Sequence, residues 1–126
     1  MGELEVEGPR ATELLQATLS NDLDKIGPGE AQYTLLTNER GGIIDDVIAY
    51  RLDDFRYLLI VNASNREADF RWLKEREIPG SDVRDVSDEY ALLAVQGPRA
   101  IERLGLPPAK AFTFAEGEID GITCML

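Results

Sequence analysis

The run Ile43-Ile44-Asp45-Asp46-Val47-Ile48-Ala49-Tyr50-Arg51-Leu52 sets two adjacent carboxylates inside an apolar, strand-like stretch. Aspartate is among the poorest strand formers, so the pair asks for a chemical reason. Carboxylates in such a place can do general acid–base work or hold a ligand amine. Few other groups are on offer. The chain has no histidine and a single cysteine, Cys124, which removes the commonest general base, the commonest zinc ligand and any internal disulfide. No metal site is expected. Chemistry must rest on carboxylates, tyrosines, backbone groups or a bound cofactor.

Alternate side chains of a strand share a face. Asp45 then lies with Ile43, Val47, Ala49 and Arg51, and Asp46 with Ile44, Ile48, Tyr50 and Leu52. The second set is bulkier and more apolar, so Asp46 is expected to point toward a core or a pocket and Asp45 to be solvated or paired. An inward carboxylate has to be hydrogen-bonded, charge-paired or functional, because burying an unpaired charge is costly. With a loop at Asn38 to Gly41, Thr37 opposes Gly42 and Tyr33 opposes Asp46, which brings a phenol and a carboxylate together. Two roles stay open for Asp46 on this reading. It either accepts backbone N–H bonds and serves structure alone, or it is catalytic.

Around this pair the chain reads as alternating short elements. Glu3 to Glu7 alternates as a strand, and Gly8-Pro9 opens a helix whose inner stripe is Ala11, Leu14, Leu15 and Thr18. Ala31 to Thr37 and Ile43 to Leu52 form a hairpin across Gly41-Gly42, followed by a third strand, Arg56 to Asn62. Ser64 and Glu67 have the spacing of a capping box for a helix running to about Arg76. Ala91 to Val95 reads as the next strand, Pro98 to Leu104 as a helix, and Phe112 to Leu126 as a hairpin turning at Asp120-Gly121. The fold class expected is α+β: a mainly antiparallel sheet with helices packed on one face, ferredoxin-like in pieces.

The segment Leu4-Glu5-Val6-Glu7-Gly8-Pro9-Arg10-Ala11 repeats as Leu93-Ala94-Val95-Gln96-Gly97-Pro98-Arg99-Ala100, in register and with Glu and Leu matching further on. An internal duplication is expected, with a first repeat at residues 3–80 and a truncated second at 90–126, both within one unit spanning 1–126. The second copy stops in an apolar run, so the chain is expected to be an internal fragment of a longer protein.

Composition limits the partners. The 126 residues carry 24 acidic and 13 basic side chains, a net charge of −11. Nucleic acid and anionic membrane surfaces would repel such a chain. No apolar run approaches the length of a membrane span. A lone cysteine suits a reducing compartment, and a cytoplasmic location is expected.

Three separated motifs carry a resemblance. Ser20-Asn21-Asp22, Gly29, Tyr33, Asn38 and Gly41-Gly42-Ile43-Ile44-Asp45-Asp46 make the first, Val61-Asn62-Ala63-Ser64-Asn65-Arg66 with Asp69 the second, and Gln96-Gly97-Pro98 the third. Together they resemble the glycine cleavage system T protein family over essentially the whole chain. The resemblance implies a tetrahydrofolate-dependent aminomethyltransferase. Such an enzyme passes the one-carbon unit of an aminomethyl group, carried on the lipoyl arm of the H protein, to tetrahydrofolate and releases ammonia. It also implies that Asp46 is the catalytic aspartate beside the attacking folate nitrogen, and that Tyr33, Ile60 and Asn62 line the folate pocket. A family segment that completes that pocket would follow Leu126, so the piece alone is expected to be inactive. The resemblance leaves two relatives as alternatives: a non-enzymatic folate-binding module of the iron–sulfur assembly type, and the folate domain of a sarcosine- or dimethylglycine-type enzyme. An exposed edge near the terminus makes a homo-oligomer a further expectation.

Overall fold

The computed structural model describes residues 1–126. Seven strands and three helices follow in the order β1 (Gly2–Glu7), α1 (Ala11–Thr18), β2 (Glu30–Thr37), β3 (Ile43–Asp53), β4 (Arg56–Val61), α2 (Arg66–Lys74), β5 (Asp82–Asp85), α3 (Ala100–Leu104), β6 (Glu116–Ile119) and β7 (Ile122–Met125). The first five strands make one sheet in the order β2-β3-β4-β1-β5, and every neighbouring pair is antiparallel. Without β2, the order β3-β4-β1-β5 with its two helices is the ferredoxin-like arrangement. The α+β, mainly antiparallel expectation holds.

Amphipathic patterning selects the helix-covered face. Ala11, Leu14 and Leu15 of α1 and Leu73 of α2 pack on Leu4, Val6, Val47, Ala49, Leu59, Val61 and Val83 of the sheet. Each fully buried leucine contributes roughly 1.5–3 kcal/mol. Tyr57 is fully buried in the same core, with its hydroxyl hydrogen-bonded to that of Thr12 at 2.8 Å. The strand-to-helix joint before α1 requires glycine: Gly8 has φ +117°, and a Cβ there would lie 2.4 Å from the Gly80 carbonyl oxygen.

The opposite face is only partly covered. Leu58, Ile60 and Val86 are buried there, and Ile48, Tyr50, Leu52 and Met125 pack against them. The hairpin β6–β7 lies over the Tyr50 end, where Phe114 meets the tyrosine ring edge-on at 5.2 Å. Its turn is at Asp120-Gly121, both with positive φ (51° and 78°), as expected for a two-residue hairpin loop.

Three expectations need correction. Residues 91–96 form no strand, because nothing pairs with them; Leu93 is 87% exposed. An extended segment with unpaired backbone groups has no ladder to join. The capping box also fails to form: α2 starts one residue later than that spacing requires, with Asn65 at its N-cap. The third concerns the β2–β3 register, in which Tyr33 opposes Ile48 and Leu35 opposes Asp46. The loop is longer than expected because the Asn38 side chain accepts from the backbone N–H groups of Arg40 and Gly42, and a bulge follows at Leu36/Thr37.

The two Gly-Pro-Arg joints nevertheless share a conformation. Gly8 and Gly97 have φ +117° and +128°, and Arg10 and Arg99 sit at the N-caps of α1 and α3 with φ, ψ of −115°, 16° and −116°, 15°. In each, the arginine forks onto the glutamate three residues on, Glu13 or Glu102.

Candidate functional site

The faces of β3 are the reverse of those expected from its composition. Asp45 is 4% exposed and lies on the helix-covered face with Val47 and Ala49, whereas Asp46 is exposed on the open face with Ile48 and Tyr50. Val47 and Ala49 are small, which lets the helices approach the sheet closely. The bulkier set is left to the thinly covered side.

On that open face four elements of sequence converge. The register places Tyr33, Ile48 and Ile60 in one cross-strand row, with Asp46 one step along β3 toward the loop. Tyr33 is 48% exposed, and its hydroxyl donates to Asp46 Oδ2 at 3.0 Å. The two therefore meet diagonally rather than directly across the ladder. Because the register differs from the expected one by two residues, they still share a face. Asn62, just past the end of β4, donates from Nδ2 to Asp46 Oδ1 at 3.1 Å and to the Asp46 carbonyl at 3.2 Å. Ile60, 7% exposed, forms an apolar floor with Ile48. Tyr33, Asp46, Ile60 and Asn62, the residues that the resemblance assigns to one pocket, thus lie together at this face.

Below this surface lies a second set of residues, for which the sequence reading assigned no role. Asp45 Oδ1 accepts from Asn62 Nδ2 at 2.9 Å and from Asn65 Nδ2 at 2.6 Å, and Oδ2 accepts from the Asn62 backbone N–H at 3.0 Å. Asp69, on α2, has no exposed surface, and neither of its carboxyl oxygens receives a bond from any donor. The ionisable group beside it is the Asp45 carboxylate, whose charge favours the protonated form of Asp69. Burial, then the hydrogen bond to Asp45 and the charge of Asp45, push the Asp69 carboxyl up to about 7. Burial pushes Asp45 up too, but the hydrogen bonds from Asn62, Asn65 and Asp69 outweigh it and leave Asp45 below the ordinary aspartate value. One signal for Asp69 was present in the sequence: it precedes Leu73 by four residues, on the inner stripe of α2.

Tyr33 is held above the ordinary tyrosine value, first by its hydrogen bond to Asp46 and then by burial and by the charges of Asp46 and Asp45. As arranged, the site offers an exposed carboxylate with two donors fixing it, an apolar floor, and the Asn62 Oδ1, which accepts nothing within the chain. Such a set can seat a flat heterocycle by its donor edge and place a carboxylate beside a reacting amine.

Fold and site together define an α+β domain with a polar cluster on the open face of an antiparallel sheet. The model of the GCVT N-terminal domain matches residues 1–126, and the chain belongs to that family. It is 40% identical to the aminomethyltransferase of Desulforamulus reducens over 132 residues, covering 100% of this chain and 36% of the relative. It is 46% identical to that of Exiguobacterium sibiricum over 132 residues, covering 100% and 37%. The crystal structure of glycine cleavage system aminomethyltransferase T from Bartonella henselae superposes with a TM-score of 0.72 at 32% identity, covering 90% of this chain and 32% of that one. The chain thus spans about a third of the length of these relatives. None of its helices is long and apolar enough to cross a membrane.

Proposed function

We propose that this chain supplies the folate-facing part of an aminomethyltransferase of the glycine cleavage system. The observation that carries the reading is the convergence of the Tyr33 hydroxyl and the Asn62 carboxamide on the exposed Asp46 carboxylate, above the Ile48–Ile60 floor, in a chain of this family. Tetrahydrofolate, when bound, supplies the nitrogen that takes up the one-carbon unit from the aminomethyl-lipoyl arm of the H protein, with loss of ammonia.

The residues present fit that group. Ile48 and Ile60 offer an apolar surface for a ring face, and Asn62 Oδ1 is an unpartnered acceptor for a pterin's donor edge. Asp46 takes the catalytic role. Held by two donors, its carboxylate orients a nearby amine and can accept its proton. Tyr33 fixes one Asp46 oxygen and lines the pocket beside it. The partners of the reading are therefore tetrahydrofolate and the lipoyl-bearing H protein. The matched Gly-Pro-Arg joints support the accompanying proposal that residues 3–80 and 90–126 are two copies of one repeat within a single unit.

Calorimetric titration of tetrahydrofolate into the protein and into Asp46→Ala tests the reading. Saturable heat in the parent, and affinity reduced about tenfold or more in the variant, are expected on the loss of one charge-assisted contact. Equal affinities for both proteins would remove Asp46 from the site.

A further inference from the structure

Asn62 has one carboxamide and two ways to present it. With its NH2 outward it would offer donors to a ligand, and with its oxygen outward an acceptor. The structure shows which is chosen and by what. Its two N–H bonds are directed at Asp45 Oδ1, Asp46 Oδ1 and the Asp46 carbonyl oxygen, at 2.9, 3.1 and 3.2 Å. Turned over, the amide would set its oxygen against three acceptor oxygens. Repulsion on that side fixes the orientation.

The element that enforces this is Asp45 rather than Asp46. Asp46 is exposed and meets Asn62 only at its side chain, while Asp45 is buried and meets both its side chain and its backbone N–H. A carboxylate has about four lone-pair positions. At Asp45 three are met by the Asn62 side chain, the Asn62 backbone N–H and the Asn65 side chain, with the buried Asp69 carboxyl as its neighbour. Asp45 therefore grips Asn62 by both its backbone and its side chain, while Asn65 and Asp69 of the neighbouring α2 region grip Asp45.

We propose that Asp45 is the positioning residue that makes Asn62 an acceptor toward the ligand, so that the site selects heterocycles presenting a donor edge. The proposal rests on the folate reading for the identity of the ligand, but the orientation of Asn62 can be measured without one. Asp69 and Asn65 hold Asp45 in place. Of these four residues only Asn62 faces the ligand.

The experiment compares a tetrahydropterin with the corresponding tetrahydrolumazine, in which the exocyclic amino donor is replaced by a carbonyl oxygen, under anaerobic conditions. Binding to the parent protein, to Asp45→Leu and to Asp69→Asn is measured by calorimetry, with the Asn62 side-chain NH2 resonances followed by nuclear magnetic resonance. The parent is expected to prefer the pterin by about tenfold or more, the scale of one unpaired buried polar group. Asp45→Leu removes the acceptors that hold the Asn62 NH2, and the preference should fall toward unity even where lumazine affinity is kept. Asp69→Asn keeps a donor to Asp45, so the preference should survive. A general structural role for Asp45 would weaken both ligands alike.

A folded Asp45→Leu protein with undiminished pterin preference would overturn the proposal. If that variant does not fold, the parent alone decides. Both Asn62 NH2 protons are expected to be protected from solvent exchange, and rapid exchange of both overturns the assignment. If the parent binds neither heterocycle, the folate reading fails while the Asn62 resonances still report on Asp45.

Discussion

Asp69 on α2 and Asp45 on β3 form a carboxyl–carboxylate pair, with Asp69 wholly buried and holding the proton. The pair joins a helix to the sheet directly beneath the candidate site, and it makes stability depend on pH. The Asp69 pKa is raised from 3.8 to about 7 in the folded state, so folding binds a proton that the unfolded chain has already released. The stabilisation from this proton is complete below the unfolded value and is lost as pH rises through about 7. The urea midpoint of the parent should therefore fall between about pH 4 and about pH 8, and Asp69→Asn should flatten that fall and exceed the parent at the alkaline end. Parallel curves for the two proteins would show that Asp69 is not the titrating group.

Tyr33 and Asp46 can be tested through the phenol. The hydrogen bond to Asp46 is the leading reason that Tyr33 titrates above the ordinary tyrosine value, whereas Tyr50 is raised by burial. Spectrophotometric titration should thus find Tyr33 and Tyr50 ionising late. Asp46→Asn should bring one back toward its usual value and leave the other unmoved. Because Tyr33 is half exposed, Tyr33→Phe should leave the unfolding free energy within about 0.5 kcal/mol of the parent.

The glycines of the two Gly-Pro-Arg joints should respond unequally to the same substitution. At Gly8 an added Cβ would lie 2.4 Å from the Gly80 carbonyl oxygen, which also accepts the Arg10 N–H at 2.8 Å, while at Gly97 the added atom meets nothing within 4 Å. Gly97→Ala should lose only backbone strain, on the order of 1 kcal/mol, and Gly8→Ala more than about 2 kcal/mol. Denaturant unfolding of the two variants measures the difference.

Glu5 is a buried carboxylate, 2% exposed, on the sheet face opposite the main core. Arg56 binds it at 2.5 Å and Arg84 pairs with it from β5. Removing either arginine leaves the other as partner, so each single alanine variant should be mild. The double variant strands the charge and should lose on the order of 3 kcal/mol, more than the sum of the singles. Additive losses would show that Glu5 reaches water when unpaired.

Much of this molecule can be read from residue order because the forces involved are local. The period of two in β3, the stripe Ala11, Leu14, Leu15 of α1 and the Asp120-Gly121 turn each follow from backbone geometry within a few residues. The meeting of Tyr33 and Asp46 also survived an error in register, because a shift of two residues leaves a side chain on its own face.

The direction of that face was not local. Alternation separates Asp45 from Asp46, but which set is buried depends on the side to which α1 and α2 return, and they cover the smaller residues Val47 and Ala49. The same long-range packing brings Asp69 under Asp45, and it leaves residues 91–96 without a strand despite their strand-like pattern. A strand carries its two faces in its sequence. Burial belongs to whatever packs against them, and here that came from elements many residues away.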